Sequence, residues 1–96
     1  MSRRLVLRRR ALTEIQEAHD WYESRGRGLG ERFVEELDQV LALLEEYPLR
    51  FPLVHRDVRR ALTRRFPYAI WFRIRGDLVV VLAVLHQARD PASWPR

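Results

Sequence analysis

Two apolar runs on either side of a two-residue turn dominate the pattern of hydrophobic and polar positions in this chain. The first run spans residues 66–75, and the second, Leu78–Leu85, contains no polar residue. Gly76-Asp77 separates them, and a glycine at the first central position is what a two-residue type II′ turn requires, because that position needs a positive φ. The pattern therefore predicts a β-hairpin in which Arg75 lies opposite Leu78.

Counting back from the turn places the side chains of the hairpin on two faces, since side chains alternate along a strand. One face should be a core, with these cross-strand pairs: Ile74 with Val79, Phe72 with Val81, Ile70 with Ala83, and Tyr68 with Leu85. The opposite face, called the second face below, mixes cationic and apolar side chains in its pairs: Arg75 with Leu78, Arg73 with Val80, Trp71 with Leu82, and Ala69 with Val84. Because the second run is apolar on both sides, we expect it to form a central strand that is covered on both faces.

Helical periodicity replaces this pattern between residues 11 and 47. The first helix is predicted from Ala11 to Gly26, with an apolar stripe of Leu12, Ile15, Ala18 and Tyr22. Thr13-x-x-Gln16 has the spacing of a capping box near its start. A second helix runs from Leu29 until Pro48 ends it, and the short link predicts an antiparallel helical hairpin on the core face. The outer face of this helical hairpin holds most of the acidic residues, which we expect to be solvated.

Shorter strands complete the predicted sheet. Leu5-Val6-Leu7 should lie beside the Leu78–Leu85 strand, and residues 58–65 should form a strand beside the hairpin, after a proline-interrupted loop that ends at Leu53. The order is β-α-α-β-β-β. It predicts an α+β fold in which the helical hairpin packs on one face of a mostly antiparallel four-stranded sheet. We expect residues 1–96 to be a single domain, which is long enough to bury a core without disulfide or metal support.

The charge is unevenly distributed. The net charge of the chain is +5, but residues 1–10 carry +5, residues 11–47 carry −7 and residues 48–96 carry +7. All 18 basic residues are arginine. A planar guanidinium suits phosphate and carboxylate recognition, although a GC-rich genome produces the same bias. The basic ends therefore indicate an acidic partner or a nucleic acid as two open alternatives.

Composition also narrows the class of protein. The chain contains no cysteine, which excludes a disulfide scaffold and a thiol nucleophile. Its longest apolar run is far shorter than the roughly 20 residues of a membrane helix, and the basic start is not followed by the apolar stretch of a signal peptide. We therefore expect a cytoplasmic protein that uses no cofactor and no metal.

Several short motifs occur in a fixed order. The first three surround the predicted helices: Trp21-Tyr22, Gly28-Leu29-Gly30-x-x-Phe33 and Tyr47-Pro48. The later three follow in the sheet and the tail: Val58-Arg59-Arg60, Phe66-Pro67-Tyr68-x-Ile70-x-Phe72 and His86-x-x-Arg89-Asp90-Pro91-x-x-Trp94. In this order and spacing they resemble the RelE/ParE superfamily of bacterial toxins, and the later three resemble its ParE branch in particular. The resemblance extends from Leu5 to Trp94.

The resemblance implies the toxin of a type II toxin–antitoxin module of the ParDE, plasmid-stabilising kind, neutralised by a ParD-like antitoxin encoded beside it. ParE-type members inhibit DNA gyrase, whereas RelE-type members cut messenger RNA on the ribosome. Because both activities use one fold, the fold cannot choose between them. The alternative to a gyrase inhibitor is therefore a ribosome-dependent endoribonuclease.

A ribonuclease needs a base near the 2′-hydroxyl and cations on the phosphate. If the chain were one, Arg65, Arg73 and His86 would be the candidates, converging on the second face. Arginine stays protonated and is a poor base, so His86 would have to supply this role. RelE-type ribonucleases commonly use lysines on the strand before the hairpin, and this chain has none. We therefore expect a protein that binds and is not an enzyme.

An acidic, partly hydrophobic antitoxin segment is expected to lie across the second face. The predicted contact residues combine arginines with apolar side chains: Arg59, Arg60, Trp71, Arg73, Val80, Leu82, Arg89 and Trp94. Other interpretations stay open, since arginine pairs also discourage aggregation at an edge strand, and Arg89 with Asp90 also suits a pair that fixes the tail. A non-toxic nucleic-acid-binding domain is a second alternative, but both predicted helices are acidic, and an acidic helix does not suit a DNA groove.

Overall fold

Five strands form one sheet, and two helices cover one of its faces. The computed structural model describes residues 3–88. In chain order its elements are β1 (Arg4–Leu7), α1 (Arg9–Arg25), α2 (Leu29–Glu46), a 3₁₀ turn (Pro48–Arg50), β2 (Leu53–His55), β3 (Val58–Leu62), β4 (Tyr68–Arg75) and β5 (Leu78–His86). The strand order is β1-β5-β4-β3-β2, with β1 parallel to β5 and the other neighbours antiparallel. The predicted α+β class is confirmed, with one strand more than expected.

The additional strand is β2, where a loop was predicted. Leu53 pairs with Arg59 and His55 with Val58, so β2 and β3 form a short hairpin of their own. The predicted strand over residues 58–65 is also too long, because β3 ends at Leu62. The Thr63 hydroxyl and main chain close the turn that follows. Three-residue strands carry too few alternating positions to be recognised in a sequence.

The hairpin of β4 and β5 confirms the predicted turn. Gly76 has φ 58° and it alone of the two turn residues is in the left-handed region, as a type II′ turn requires. From Arg75–Leu78 back to Phe72–Val81 the pairing is the predicted one. Beyond that point the register shifts by one residue.

A β-bulge at Leu82 causes this shift. Trp71 pairs with Ala83, and the remaining pairs are Ile70 with Val84, Ala69 with Leu85, and Tyr68 with His86. The four predicted pairs beyond Phe72 are therefore wrong. Because an extra residue in one strand moves the following side chains to the opposite face, Val84 lies in the core, and Ala83 and Leu85 lie on the second face.

The main core lies between the helices and the sheet. Phe33, Leu37, Leu41 and Leu44 form the buried stripe of α2, and they pack with these residues of α1, β3, β4 and β5: Ala11, Ala18, Ala61, Ile70, Phe72, Val79, Val81 and Val84. This side of the sheet is called the core face below. A second cluster covers the other side: Val58, Ala69, Trp71, Leu82, Ala83 and Leu85. The prediction that β5 is covered on both faces is confirmed.

The start of α1 differs from the prediction. The helix begins at Arg9 and has no side-chain cap, so Thr13 lies inside it and makes no capping box. The Arg8 main chain links strand to helix, because its N–H donates to the Val81 carbonyl at 3.0 Å and its carbonyl accepts the Leu12 N–H at 3.1 Å. This geometry turns Ala11 into the core and leaves Leu12 55% exposed.

Helix glutamates predicted to be solvated instead bind main-chain groups of the sheet. Glu14 of α1 accepts the Val84 N–H at 2.8 Å, at the edge of β5 that β1 no longer covers. Glu45 of α2 accepts the Leu5 N–H at 3.2 Å. Each contact satisfies a donor that the strand pairing leaves open.

The link between the helices is fixed by glycines. Gly28 caps α2 with φ 82°. Glu23 accepts the N–H groups of Gly28 and Gly30 at 3.0 and 3.1 Å, and these two bonds lower the pKa of its carboxyl. A Cβ at Gly30 would lie 2.7 Å from the His19 carbonyl oxygen, so only glycine allows α1 and α2 to approach so closely here. Neither helix among residues 3–88 has the length and apolar character needed to cross a membrane.

Candidate partner-binding surface

Arg60 is the central cation of the second face. It pairs with Trp71 across β3 and β4, and its guanidinium carbon lies 5.7 Å from the centroid of the Trp71 ring. The Arg60 Nε is buried and has no hydrogen-bond partner within the described part of the chain. A buried donor of this kind favours an incoming acceptor, because buried polar groups are normally hydrogen-bonded.

The predicted apolar contacts of the second face lie deeper than expected. Trp71 is only 4% exposed and Leu82 is 2% exposed, while Val80 is half-buried. Trp71 and Leu82 therefore support the surface and do not form an exposed anchor. Two apolar residues on this face are exposed: Leu62, which is 50% exposed and was not predicted, and Val6 of β1, which pairs with Val80 and is 37% exposed. The position of Leu62 two residues after Arg60 on an alternating strand is the signal that could have identified it.

A groove of about 250 Å³ lies at the His86 end of the second face. Arg60 and Leu62 of β3 line it together with Trp71 of β4 and Leu85 and His86 of β5. Its lining is apolar apart from a cation, an imidazole and an amide side chain. An apolar side chain next to a carboxylate fits such a lining.

Arg73 also lies on the second face, but it has an acidic partner within the chain. Its Nη2 is 3.6 Å from Asp57, and the Nη2 of Arg75 is 3.7 Å from the same carboxylate. Both arginines therefore share one acid at the turn between β2 and β3. Arg73 retains a buried Nε without a hydrogen-bond partner among residues 3–88.

Arg59 is not on the second face. Side chains alternate along β3, and Arg59 shares the core face with Ala61. Its Nη1 donates to the Phe51 carbonyl at 2.6 Å. The predicted grouping of Arg59 with Arg60 and Arg73 on one surface is therefore wrong, because adjacent residues of a strand point to opposite faces.

The three residues proposed for a ribonuclease do not come together. His86 pairs with Tyr68, and the two rings are 5.5 Å apart at the end of the hairpin. Arg73 is five residues along β4 from Tyr68, which corresponds to roughly 17 Å of strand. Arg65 lies in an exposed turn whose main-chain N–H groups bind Glu36.

His86 makes a hydrogen bond to the main chain that follows β5. Its Nδ1 accepts the Ala88 N–H at 3.1 Å. Arg89 and Trp94, the two tail residues predicted to bind a partner, lie outside the described residues. Within residues 3–88, no three or more histidine and acidic side chains are grouped so that they could hold a metal ion.

The architecture of two helices on this mixed sheet is that of a class of bacterial toxins. A structure of the chromosomal ParDE toxin–antitoxin system from P. aeruginosa matches with a TM-score of 0.79 and 19% identity, over 88% of this chain and 96% of that chain. A mutant of E. coli RelE in the free state matches with a TM-score of 0.64 and 20% identity, over 97% and 88%. The RelBE2 toxin–antitoxin complex from Mycobacterium tuberculosis gives a TM-score of 0.62 and 19% identity, over 93% and 95%. These likenesses establish the RelE-like fold.

The sequence identifies the branch within this class. The family described as ParE toxin of type II toxin–antitoxin system, parDE, matches residues 5–91. The chain therefore belongs to the ParE toxin family, as its motifs predicted. No curated protein sequence is significantly similar to it.

Proposed function

We propose that this ParE-type toxin acts by binding its target and not by catalysis, that the target is DNA gyrase, and that an acidic, partly apolar antitoxin segment neutralises it on the second face. The observation that carries the antitoxin site is Arg60. It combines a positive charge and a buried Nε without a partner among the described residues with an apolar groove beside it. The gyrase target rests on the ParE family alone.

The chemistry of the groove specifies the antitoxin segment. One carboxylate pairs with Arg60, and an aliphatic side chain nearby enters the space beside Leu62 and Leu85. Arg73 contributes less, because Asp57 already neutralises part of its charge. A charge-assisted hydrogen bond to a partly desolvated arginine is among the stronger single contacts in an interface.

Removal of the Arg60 side chain tests this site. Arg60→Ala should weaken antitoxin affinity at least tenfold, which corresponds to about 1.4 kcal/mol. Arg64→Ala is the matched control, because Arg64 is exposed in the turn after β3 and lies outside the groove. Trp71→Ala is unsuitable as a probe, since Trp71 is buried and its loss would destabilise the fold. Equal affinities of the Arg60 and Arg64 variants would exclude this docking mode.

Two parallel assays test the mode of action. The purified chain and its His86→Ala variant are added to supercoiling by DNA gyrase and to messenger RNA on translating ribosomes. We expect both proteins to inhibit gyrase equally and to leave the RNA intact, because His86 and Arg73 are too far apart for joint catalysis. RNA cleavage that is lost in the variant would instead support the ribonuclease alternative.

A further inference from the structure

Exposed apolar side chains are concentrated in one short stretch. Among residues 3–88, eight large apolar side chains are exposed, and four of them fall between residues 43 and 53: Leu43, Tyr47, Leu49 and Leu53. Leu49 is 63% exposed and Leu53 is 55% exposed. Single exposed leucines are common on protein surfaces, but exposed apolar side chains that share one groove mark a surface that another molecule can cover.

Leu49 and Leu53 line a groove of about 460 Å³, which we call the β2–β3 groove. Ile74 supplies the rest of its apolar part, and three arginines supply its charge: Arg3, Arg56 and Arg59. The one acid in the lining is Asp57, whose carboxylate is within 3.6 Å of Arg73 and 3.7 Å of Arg75. Since that acid is already paired, the groove as a whole is cationic.

The β2–β3 groove is distinct from the second face. Leu53 pairs with Arg59, which pairs in turn with Phe72 of the core. Ile74 shares this core face, because it lies two residues from Phe72 on β4. The groove therefore occupies a corner of the helix-covered side of the sheet, and the Arg60 groove lies on the opposite side.

Arg56, in the turn beside the β2–β3 groove, has a backbone conformation that is unfavourable for a residue with a side chain. It is the first central residue of the turn between β2 and β3, and with φ 51° it is the one non-glycine residue of the described chain in the left-handed region. Glycine is the residue that such a turn position favours, and an arginine there is strained. Strained positions of this kind are typical of functional sites, and the Arg56 side chain lines the groove.

We propose that the toxin holds its target protein at the β2–β3 groove, through an acidic segment of the target that carries aliphatic side chains. The inference rests on the proposed function to the extent that the chain acts by binding. A protein fits better than a nucleic acid, because Leu49 and Leu53 offer aliphatic surface and not the aromatic platforms on which bases stack. The three arginines match carboxylates, and the leucines match an apolar side chain between them.

Two substitutions and one control test the groove. Arg56→Gly removes the guanidinium and also the backbone strain, so the thermal unfolding of this variant distinguishes a lost contact from a weakened fold. Leu53→Ser removes apolar surface, and Leu12→Ser is its control, because Leu12 is also 55% exposed but lies on α1. Each protein is compared for growth arrest on expression, half-inhibitory concentration against DNA gyrase, thermal unfolding, and affinity for the protein encoded by the neighbouring reading frame.

We expect Arg56→Gly and Leu53→Ser each to raise the half-inhibitory concentration at least tenfold and to relieve growth arrest. Affinity for the neighbouring protein should stay within twofold, and Arg56→Gly should unfold at the same or a higher temperature. Leu12→Ser should match the unmodified chain.

The outcomes separate this inference from the proposed gyrase target. If both groove variants still arrest growth, the β2–β3 groove is not the target-binding site. The same conclusion follows if the variants lose affinity for the neighbouring protein in parallel with their activity. Growth arrest that depends on the groove, without any gyrase inhibition by the unmodified chain, would support the groove and refute gyrase as the target. Failure of the unmodified chain to arrest growth would refute both.

Discussion

Glu36 of α2 anchors the turn between β3 and β4, and its removal provides a quantitative test of the fold. Both of its carboxylate oxygens lie 3.0 Å from the Arg65 main-chain nitrogen, and Oε2 also accepts the Phe66 N–H at 3.2 Å. These bonds join two segments that are almost thirty residues apart in the chain. Hydrogen bonds between Thr63 and Tyr68 close the turn that Glu36 holds. The residues on either side of this turn, Leu62 and Ala69, line the groove beside Arg60.

The expected loss follows from the two donors. Hydrogen bonds to a charged group contribute about 1.5–3 kcal/mol each when they are well protected, but the Arg65 bond is exposed, so the typical net value of about 1 kcal/mol for an intramolecular hydrogen bond applies here. With about 1 kcal/mol for each donor after this discount, Glu36→Ala should lower the free energy of unfolding by about 2 kcal/mol. Since 1 kcal/mol shifts the Tm of such a domain by roughly 4–8 °C, the Tm should fall by about 8–16 °C.

Thermal and denaturant unfolding of Glu36→Ala and Glu35→Ala measures this difference. Glu35 is the adjacent, exposed residue of the same helix, so the pair has the same change in helix propensity and charge. Glu35→Ala should stay within about 0.5 kcal/mol of the unmodified chain. Equal stabilities of the two variants would show that the Glu36 contacts contribute nothing, and the anchoring role would be refuted.

Three further substitutions address the helical hairpin and the second face. Gly30→Ala should destabilise the protein by about 1–3 kcal/mol in denaturant unfolding, because its Cβ would meet the His19 carbonyl; an unchanged midpoint would contradict this. The folded-state pKa of Glu23 is lowered by the N–H groups of Gly28 and Gly30, so its stabilisation is present above the unfolded-state pKa and is lost as the pH falls through the folded-state value. Tm measured from pH 7 to pH 3 should therefore fall less steeply in Glu23→Gln, and parallel curves would be evidence against it. Trp71→Ala should lower the free energy of unfolding by about 3–5 kcal/mol, and a loss below 1 kcal/mol would mean that Trp71 is not part of a packed cluster.

The hairpin shows how far the hydrophobic pattern determines register. Next to Gly76 the turn chemistry dictates the pairing, and four pairs were predicted correctly. The bulge at Leu82 could not be predicted, because β5 is apolar on both faces and its residues fit either side equally well. Ala83, Val84 and Leu85 consequently exchanged faces without any change in the sequence pattern.

The acidic residues of the helices show a second limit of prediction from the sequence pattern. Glu14, Glu23, Glu36 and Glu45 have the spacing of a solvated helix surface, and no periodicity distinguishes them from their neighbours. The hydrogen bonds of Glu14, Glu36 and Glu45 arise only when folding brings open N–H groups of the sheet or its turns opposite them, and those of Glu23 arise only when the link between the helices folds back. Local sequence therefore identified the helices but not the contacts by which the helices hold the sheet.

The sequence predicted only part of the candidate site, because some of its contacts form only in the folded protein. Alternation along the hairpin correctly placed Arg73 on the second face, and Arg60 was expected there only as part of a pair with Arg59. Arg59 was grouped with them although alternation itself places it on the other face, and Trp71 was treated as exposed because burial by a neighbouring strand is not visible in one strand. The β2–β3 groove was missed, since its residues come from four separate segments of the chain and meet only in the folded protein.

The parallel pairing of β1 with β5 also constrains when this protein can fold. Residues 4–7 pair with residues 78–81, so one of the two neighbours of β5 precedes both helices in the sequence, and the other is β4. Contacts of such long sequence separation form late. The first strand must wait, without its partner, until residues 78–81 have been synthesised, and a prematurely terminated product that lacks β5 has neither the partner of β1 nor the strand that joins β1 to β4.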